Sequence, residues 1–239
     1  MSPIKQTGRL YGLGLGPGDP ELITLKAWRI LRQAAVVAYP APDDAPSFAR
    51  SIVAQWLSPA QIEIAIQIPM EIARFPAQEV YDRAAIAIAA QLDAGRDTVL
   101  LCQGDPLFYG SFMYLFGRLG ERFACEIVPG VSSLGACAAA AGFPLAARND
   151  TLAVLPAGLD DDELSRRLAA CEAAAIIKLG RHFARIRDLL ARLGLAEHAR
   201  YIERASLASE RVLPLAAVEP GDTPYFSMIL LHRRGEAWR

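Results

Sequence analysis

Short apolar runs alternate with stretches of helical spacing through the first half of the chain, and this alternation restricts the fold more than any other feature. Leu10–Leu15, Val36–Tyr39, Ile62–Ile68, Thr98–Cys102 and Cys125–Val128 have the length and branched apolar content of strands. Between them, Leu22–Arg32, Ser47–Leu57, Ala77–Leu92 and Tyr109–Leu119 have the spacing of amphipathic helices. Parallel neighbours need a crossover of a dozen or more residues, and each gap here supplies one, so the pattern predicts a mostly parallel sheet with helices on its faces. Asp19, Pro20 and Glu21 predict where the first helix starts, as N-cap acceptor, pre-set φ and dipole-compatible charge.

A second unit is expected to follow. A small-residue helix over 132–141 leads to strands at Leu152–Leu155, Ala174–Leu179, Ala199–Glu203, Val212–Val218 and Tyr225–His232, with helices at Asp162–Ala170 and Phe183–Leu193. The last strands follow one another too closely for helical crossovers, which predicts a mixed or antiparallel arrangement there. The fold class is therefore α/β with two α/β domains, 1–126 and 127–239, the C-terminal sheet being mixed. At 239 residues and 53% hydrophobic content the chain can bury a core in each.

Charge and composition narrow the function classes. Twenty-five basic against 26 acidic residues leave no global basic field, which argues against nucleic acid and anionic membrane as partners. The uncharged stretch 127–147 is interrupted by Pro129, Gly130, Gly142 and Pro144 and reads as strand, turn and buried helix rather than a membrane span, and the first residues carry no apolar signal segment. Cys102, Cys125, Cys137 and Cys171 have no metal-binding spacing, so no metal and a reducing, cytoplasmic setting are expected. No G-x-S-x-G, H-E-x-x-H or Walker A pattern occurs, which disfavours covalent, zinc-dependent and kinase chemistry.

Three strand-to-helix junctions remain. Gly12–Asp19 is glycine-rich, yet counting six places from Gly12 or Gly14 reaches Pro17 or Asp19, so the dinucleotide fingerprint fails; a tight turn needing φ > 0 and a close approach to some other ligand both stay open. Cys102-Gln103-Gly104-Asp105-Pro106 is ordinary turn chemistry or a ligand loop at the carboxyl end of a buried strand. Val128-Pro129-Gly130-Val131-Ser132-Ser133 offers N-capping, or free N–H groups for a carboxylate. Three such junctions together favour a bound small molecule and catalysis by positioning.

Gly14–Ala27, then Gln103–Pro106, then Val128–Ser133 together resemble the tetrapyrrole (corrin/porphyrin) methyltransferases in order and spacing. Within that family, Gly104–Leu115, Ala38-Tyr39-Pro40 and Arg148-Asn149-Asp150 resemble the branch that methylates precorrin-2, or its cobalt-containing counterpart, at the C(20) meso carbon to give precorrin-3A in cobalamin biosynthesis. Uroporphyrinogen-specific relatives carry an acidic residue after the second strand, where this chain has Tyr39-Pro40. The resemblance implies a cytoplasmic homodimer that binds S-adenosyl-L-methionine in a cleft between the domains and releases S-adenosyl-L-homocysteine. It implies cofactor contacts at Pro17, Gln103, Gly104, Asp105, Phe108, Ser132, Ser133, Leu179 and Ala205.

Asp105 is the candidate base or orienter for the proton that leaves carbon, with Tyr109 next. A flat macrocycle rimmed with carboxylates needs arginine forks, and Arg50 and Arg148 are the nominees. The basic set is almost wholly arginine, with lysine at only three positions, although codon preference would also produce that. A non-catalytic tetrapyrrole-binding protein is the alternative from another class.

Overall fold

The computed structural model describes residues 7–43, 45–68, 78–219, 221 and 223–235. The chain folds as two compact units, Met1–Ser132 and Ser133–Arg239. A boundary near Glu126 would cut strand β5 (Cys125–Val128), which pairs in parallel with β1 (Leu10–Gly14) and so belongs to the first unit.

The first unit is built on a five-stranded sheet in the order β3-β2-β4-β1-β5. Here β2 is Val36–Pro42, β3 is Ile62–Ile68 and β4 is Thr98–Cys102, and every pairing is parallel. Helices cover both faces, which is why β4 is buried along its whole length. On one face, Leu10, Leu100 and Cys102 pack with Val80, Ile88 and Leu92 of α3 (Gln78–Asp93) and with Phe112 and Leu115 of α4 (Phe112–Leu119). On the other, Leu13, Val37, Val99 and Leu101 meet Ala27 and Leu31 of α1 (Leu25–Gln33) and Ile52 of α2 (Phe48–Val53). Ala77, expected to open the third helix, lies outside the described residues.

Two helices start later than the sequence pattern predicts. Asp19 does cap, its Oδ1 accepting from the Glu21 amide at 2.8 Å, but it caps a single 3-10 turn, Pro20–Leu22. Ile23 then returns to extended backbone and Thr24 opens α1, its hydroxyl accepting from the Ala27 amide at 3.2 Å. Likewise α4 begins at Phe112 rather than Tyr109, because Tyr109 has φ +56 and cannot continue a right-handed helix.

The second unit has the sheet order β6-β7-β10-β8-β9. Strands β6 (Leu152–Pro156) and β7 (Ala173–Ile177) are parallel, and β10 (Ser227–His232) runs antiparallel between β7 and β8 (Ala199–Glu203). Strand β9 (Arg211–Pro214) closes the edge against β8; the expected strand to Val218 gives way to a 3-10 turn at Leu215–Ala217. Helices α6 (Asp161–Ala169) and α7 (Phe183–Arg192) cover one face with Leu164, Leu168, Ile186 and Leu190. The small-residue helix α5 (Ser133–Ala141) packs on the other, where Ala136 and Cys137 meet Ala175, Ile202 and Leu230. A mixed second sheet is thus present as expected.

Candidate functional site

The order β4-β1-β5 places three strands that are distant in sequence side by side, and because they are parallel their carboxyl ends fall at one edge of the first sheet. The three junctions singled out above are those ends. They bond to one another directly. The amides of Gly16 and Gly104 each donate to the other's carbonyl, at 3.3 and 2.7 Å, and the Leu15 amide donates to the Cys102 carbonyl at 2.9 Å. The Gln103 side-chain amide donates to the Pro17 carbonyl at 3.4 Å.

Asp105 ties in the third loop. One carboxylate oxygen accepts from the Leu107 amide at 2.9 Å and the other from the Gly130 amide at 3.1 Å. The approach is too close for any side chain: a Cβ on Gly130 would stand 2.1 Å from the Gly104 carbonyl oxygen. At Gly16 the φ of +80 meets the expectation of a left-handed turn. Beneath the loops lies the Cys102 thiol, which burial, and then the nearby Asp105 charge, push far above its ordinary range, so it is chemically silent.

These bonds determine which ligand the loops suit. In a phosphate cradle the glycine amides point at the anion. Here the amides of Gly16, Gly104 and Gly130 are already bonded to carbonyls and to a carboxylate, and segments 14–18, 102–110 and 128–133 contain no lysine or arginine. With those three amides engaged and no cationic side chain in the loops, this donor set suits a phosphate-free ligand better than a dinucleotide.

Phe108 and Tyr109 follow, packed edge to face with centroids 5.1 Å apart and 36% and 45% exposed. Ser132 is the last residue of the first unit and Ser133 the first of the second and of α5. Within the second unit, Leu179 and Ala205 follow the carboxyl ends of β7 and β8. These two strands run in the same direction on either side of antiparallel β10, so the two residues share one edge of that sheet. Five non-glycine residues have positive φ among those described: Tyr109, Arg148, Lys178, Arg204 and Ser206. Four of them lie in this set of strand ends, with Lys178 beside Leu179 and Arg204 and Ser206 on either side of Ala205. Backbone of this kind persists where the surrounding structure over-determines it.

The two nominated arginines are differently placed. Arg50 is engaged by Glu63 in a bidentate fork, at 2.5 and 2.8 Å, over the ring of Tyr39 at 5.9 Å. The hydrogen bonds from Arg50 hold the Glu63 carboxyl below its usual range. Arg148 is exposed, but it lies two residues from Asp150, which bonds to His232 at the far end of β10 at 3.1 Å. That is the edge of the second sheet opposite Leu179 and Ala205.

One arginine pair was not visible in the sequence pattern. Arg204 and Arg211 donate through Nη1 to the same oxygen of Glu203, at 3.1 and 3.3 Å. The other oxygen of Glu203 accepts from the Tyr201 hydroxyl at 2.5 Å. Glu203-Arg204-Ala205 is contiguous and adjoins an expected contact, but Arg211 reaches Glu203 only through the β8–β9 register, which pairs those two residues.

Comparison with known proteins gives the family. Residues 9–219 match the family model of Tetrapyrrole (Corrin/Porphyrin) Methylases. The cobalamin biosynthesis protein CobIJ of Mycobacterium tuberculosis (strain ATCC 25618 / H37Rv) is 46% identical over 232 residues, covering 94% of this chain and 46% of that protein, so the chain spans about half the length of such relatives. The precorrin-2 C(20)-methyltransferase of a Sinorhizobium species is 42% identical over 232 residues, covering 94% of this chain and 95% of the relative. Among solved structures, the uroporphyrin-III C-methyl transferase of Thermus thermophilus, complexed with S-adenyl homocysteine, aligns with a TM-score of 0.67 at 28% identity, covering 93% of this chain and 97% of that one. With the family model spanning most of its length and both units accounted for, the chain belongs to the tetrapyrrole (corrin/porphyrin) methylases.

Proposed function

We propose that this chain transfers a methyl group from S-adenosylmethionine to the C(20) meso carbon of precorrin-2, giving precorrin-3A in cobalamin biosynthesis. The observation that carries the reading is the set of three interlocked loops at the edge of β4-β1-β5, whose residues are those of the family motifs and whose Gly16, Gly104 and Gly130 amides are engaged in holding the loops together. The substrate follows the relative that matches across nearly the full length of both chains.

S-adenosylmethionine, when bound, supplies a methyl group on a positively charged sulfonium. The chain's part is to position and to exclude water. Pro17, Gln103, Gly104, Asp105 and Phe108 of the first unit, with Ser132, Ser133, Leu179 and Ala205, are the residues that would hold it. Asp105 uses both carboxylate oxygens to strap two loops together, so we assign it positioning of the cofactor loop. Tyr109, presented at the surface by its left-handed backbone, is assigned to meet the macrocycle at the reacting carbon. A cytosolic homodimer is part of the same proposal, supported by the family resemblance and by four cysteines that are all free thiols.

The test is anaerobic turnover of the purified protein with S-adenosylmethionine and precorrin-2, with and without chelated cobalt, read by mass spectrometry. One added methyl on the metal-free ring, mapped to C(20), is the expected result. Methylation of the cobalt form alone would reassign the substrate, and methylation of neither would overturn the reading.

A further inference from the structure

Arg204, Arg211 and the buried carboxylate between them form a charged cluster that the reaction as described leaves unused. Glu203 is 1% exposed, while the two arginine side chains are 39% and 48% exposed. A buried carboxylate needs one cation and good hydrogen bonds to be tolerated. Glu203 has the Tyr201 hydroxyl on one oxygen and two guanidinium groups on the other. The second carboxylate of the turn, Glu210, is occupied in accepting from the Ser206 amide at 2.7 Å.

The second cation is there by construction of the backbone. Successive residues of a strand point to opposite faces, so Arg204 following Glu203 would ordinarily point away from it. Its φ of +52 takes it out of the strand and turns its guanidinium back onto the carboxylate. Arg211 arrives from the other side as the cross-strand partner of Glu203. Two like charges thus converge on one oxygen, each through Nη1, while both side chains stay half-exposed. A pair of guanidinium groups so placed, half-exposed and close together, suits a further carboxylate, which a planar fork grips in bidentate fashion. Ala205, one of the expected ligand contacts, lies between Arg204 and Ser206 in the same turn.

We propose that Arg204 and Arg211 form a carboxylate-binding site at the strand-end edge of the second unit, and that its ligand is a rim carboxylate of the tetrapyrrole. This rests on the methyltransferase reading, which makes a polycarboxylate ring the substrate. The cofactor's amino-acid carboxylate is the other source of the same chemistry.

The experiment compares wild type with Arg204→Gln, Arg211→Gln and Arg211→Lys, the last keeping the charge that Glu203 needs while removing the fork. Three quantities are read: KM and kcat for precorrin-2 methylation, the dissociation constant of S-adenosylhomocysteine, and fluorescence-detected binding of uroporphyrin III against its octamethyl ester. The expected result is a KM raised roughly tenfold in every variant, with kcat and S-adenosylhomocysteine affinity within about twofold of wild type. The wild-type preference for the acid over the ester should shrink to match.

A weakened S-adenosylhomocysteine with unchanged KM would support the site and assign it to the cofactor's carboxylate. Unchanged KM, affinity and acid preference, with only a lowered thermal midpoint, would overturn it, because the arginines then merely neutralise Glu203. Should a glutamine variant fail to fold, the double variant Glu203→Gln/Arg211→Gln removes the buried charge and gives the same three readouts. The porphyrin comparison does not depend on methyl transfer, so failure of the functional reading and failure of this site are distinguishable.

Discussion

Asp105 and Asp150 are carboxylates fixed by backbone amides, with different consequences. A general base contributes through the chemical step, about 100- to 10,000-fold in rate, whereas a strap contributes through the loops it holds. Asp105→Asn keeps one acceptor and loses the charge-assisted part of two bonds, about 1.5–3 kcal/mol each when charged. The expected outcome is therefore S-adenosylhomocysteine binding weakened by about tenfold or more, with kcat reduced by less than that. A collapse of kcat at unchanged affinity would return Asp105 to the role of base. The Asp150 carboxyl is held down to about 2, first by the Ala147 amide and then by Arg234 and His232. A depressed carboxyl stabilises the fold fully above its ordinary range near 4 and ceases to do so as pH falls through the folded value. Urea unfolding of wild type and Asp150→Asn should therefore differ by a constant amount above about pH 5 and converge between about pH 4 and pH 2. The identity of Asp105 as a ligand-loop residue was legible from its neighbours, Gly104 and Pro106. Its bond to Gly130 was not, because it depends on β4 and β5 flanking β1, a relation that no local spacing records.

At the scale of elements, the loop set is rigid where backbones touch. Gly130→Ala would drive a methyl into the Gly104 carbonyl and against Gly14, and overpacking of this kind costs on the order of 2–3 kcal/mol. For a chain of this length the thermal midpoint should fall by about 5 °C or more. Gly117 in α4 is the control: nothing lies within 4 Å of an added Cβ, so Gly117→Ala should stabilise by up to ~1 kcal/mol through helix propensity. Equal effects at the two positions, by differential scanning calorimetry, would contradict the crossing described here. The strands of the first sheet were legible almost to the residue, since β3, β4 and β5 coincide with their apolar runs. The starts of α1 and α4 were not. In one case Thr24 outcompetes Asp19 as the cap of the long helix, and in the other a left-handed tyrosine stands where propensity alone would continue a turn.

For the whole molecule, the two sheets differ in how far the sequence discloses them. Long crossovers announce the parallel first sheet, and the close spacing of the last strands announces a mixed second one. That the final strand inserts between β7 and β8 is a non-local pairing, and with it goes the shared edge of Leu179 and Ala205. A ligand at one hundred times its dissociation constant stabilises the native state by about 2.7 kcal/mol. S-adenosylhomocysteine at that excess should raise the thermal midpoint by roughly 5–10 °C. NADH at the same concentration should leave it in place, and the reverse order would discard the cofactor assignment.

The contact of Gly14, Gly104 and Gly130 also bears on how such an enzyme can be remodelled. Gly14 and Gly130 are each blocked by backbone of the other two segments, so neither can be diversified unless its neighbours move with it. A library aimed at new methyl acceptors is better directed at the side chains that project from this crossing, Leu107 and Tyr109 among them, where a change of shape leaves the three backbones where they are.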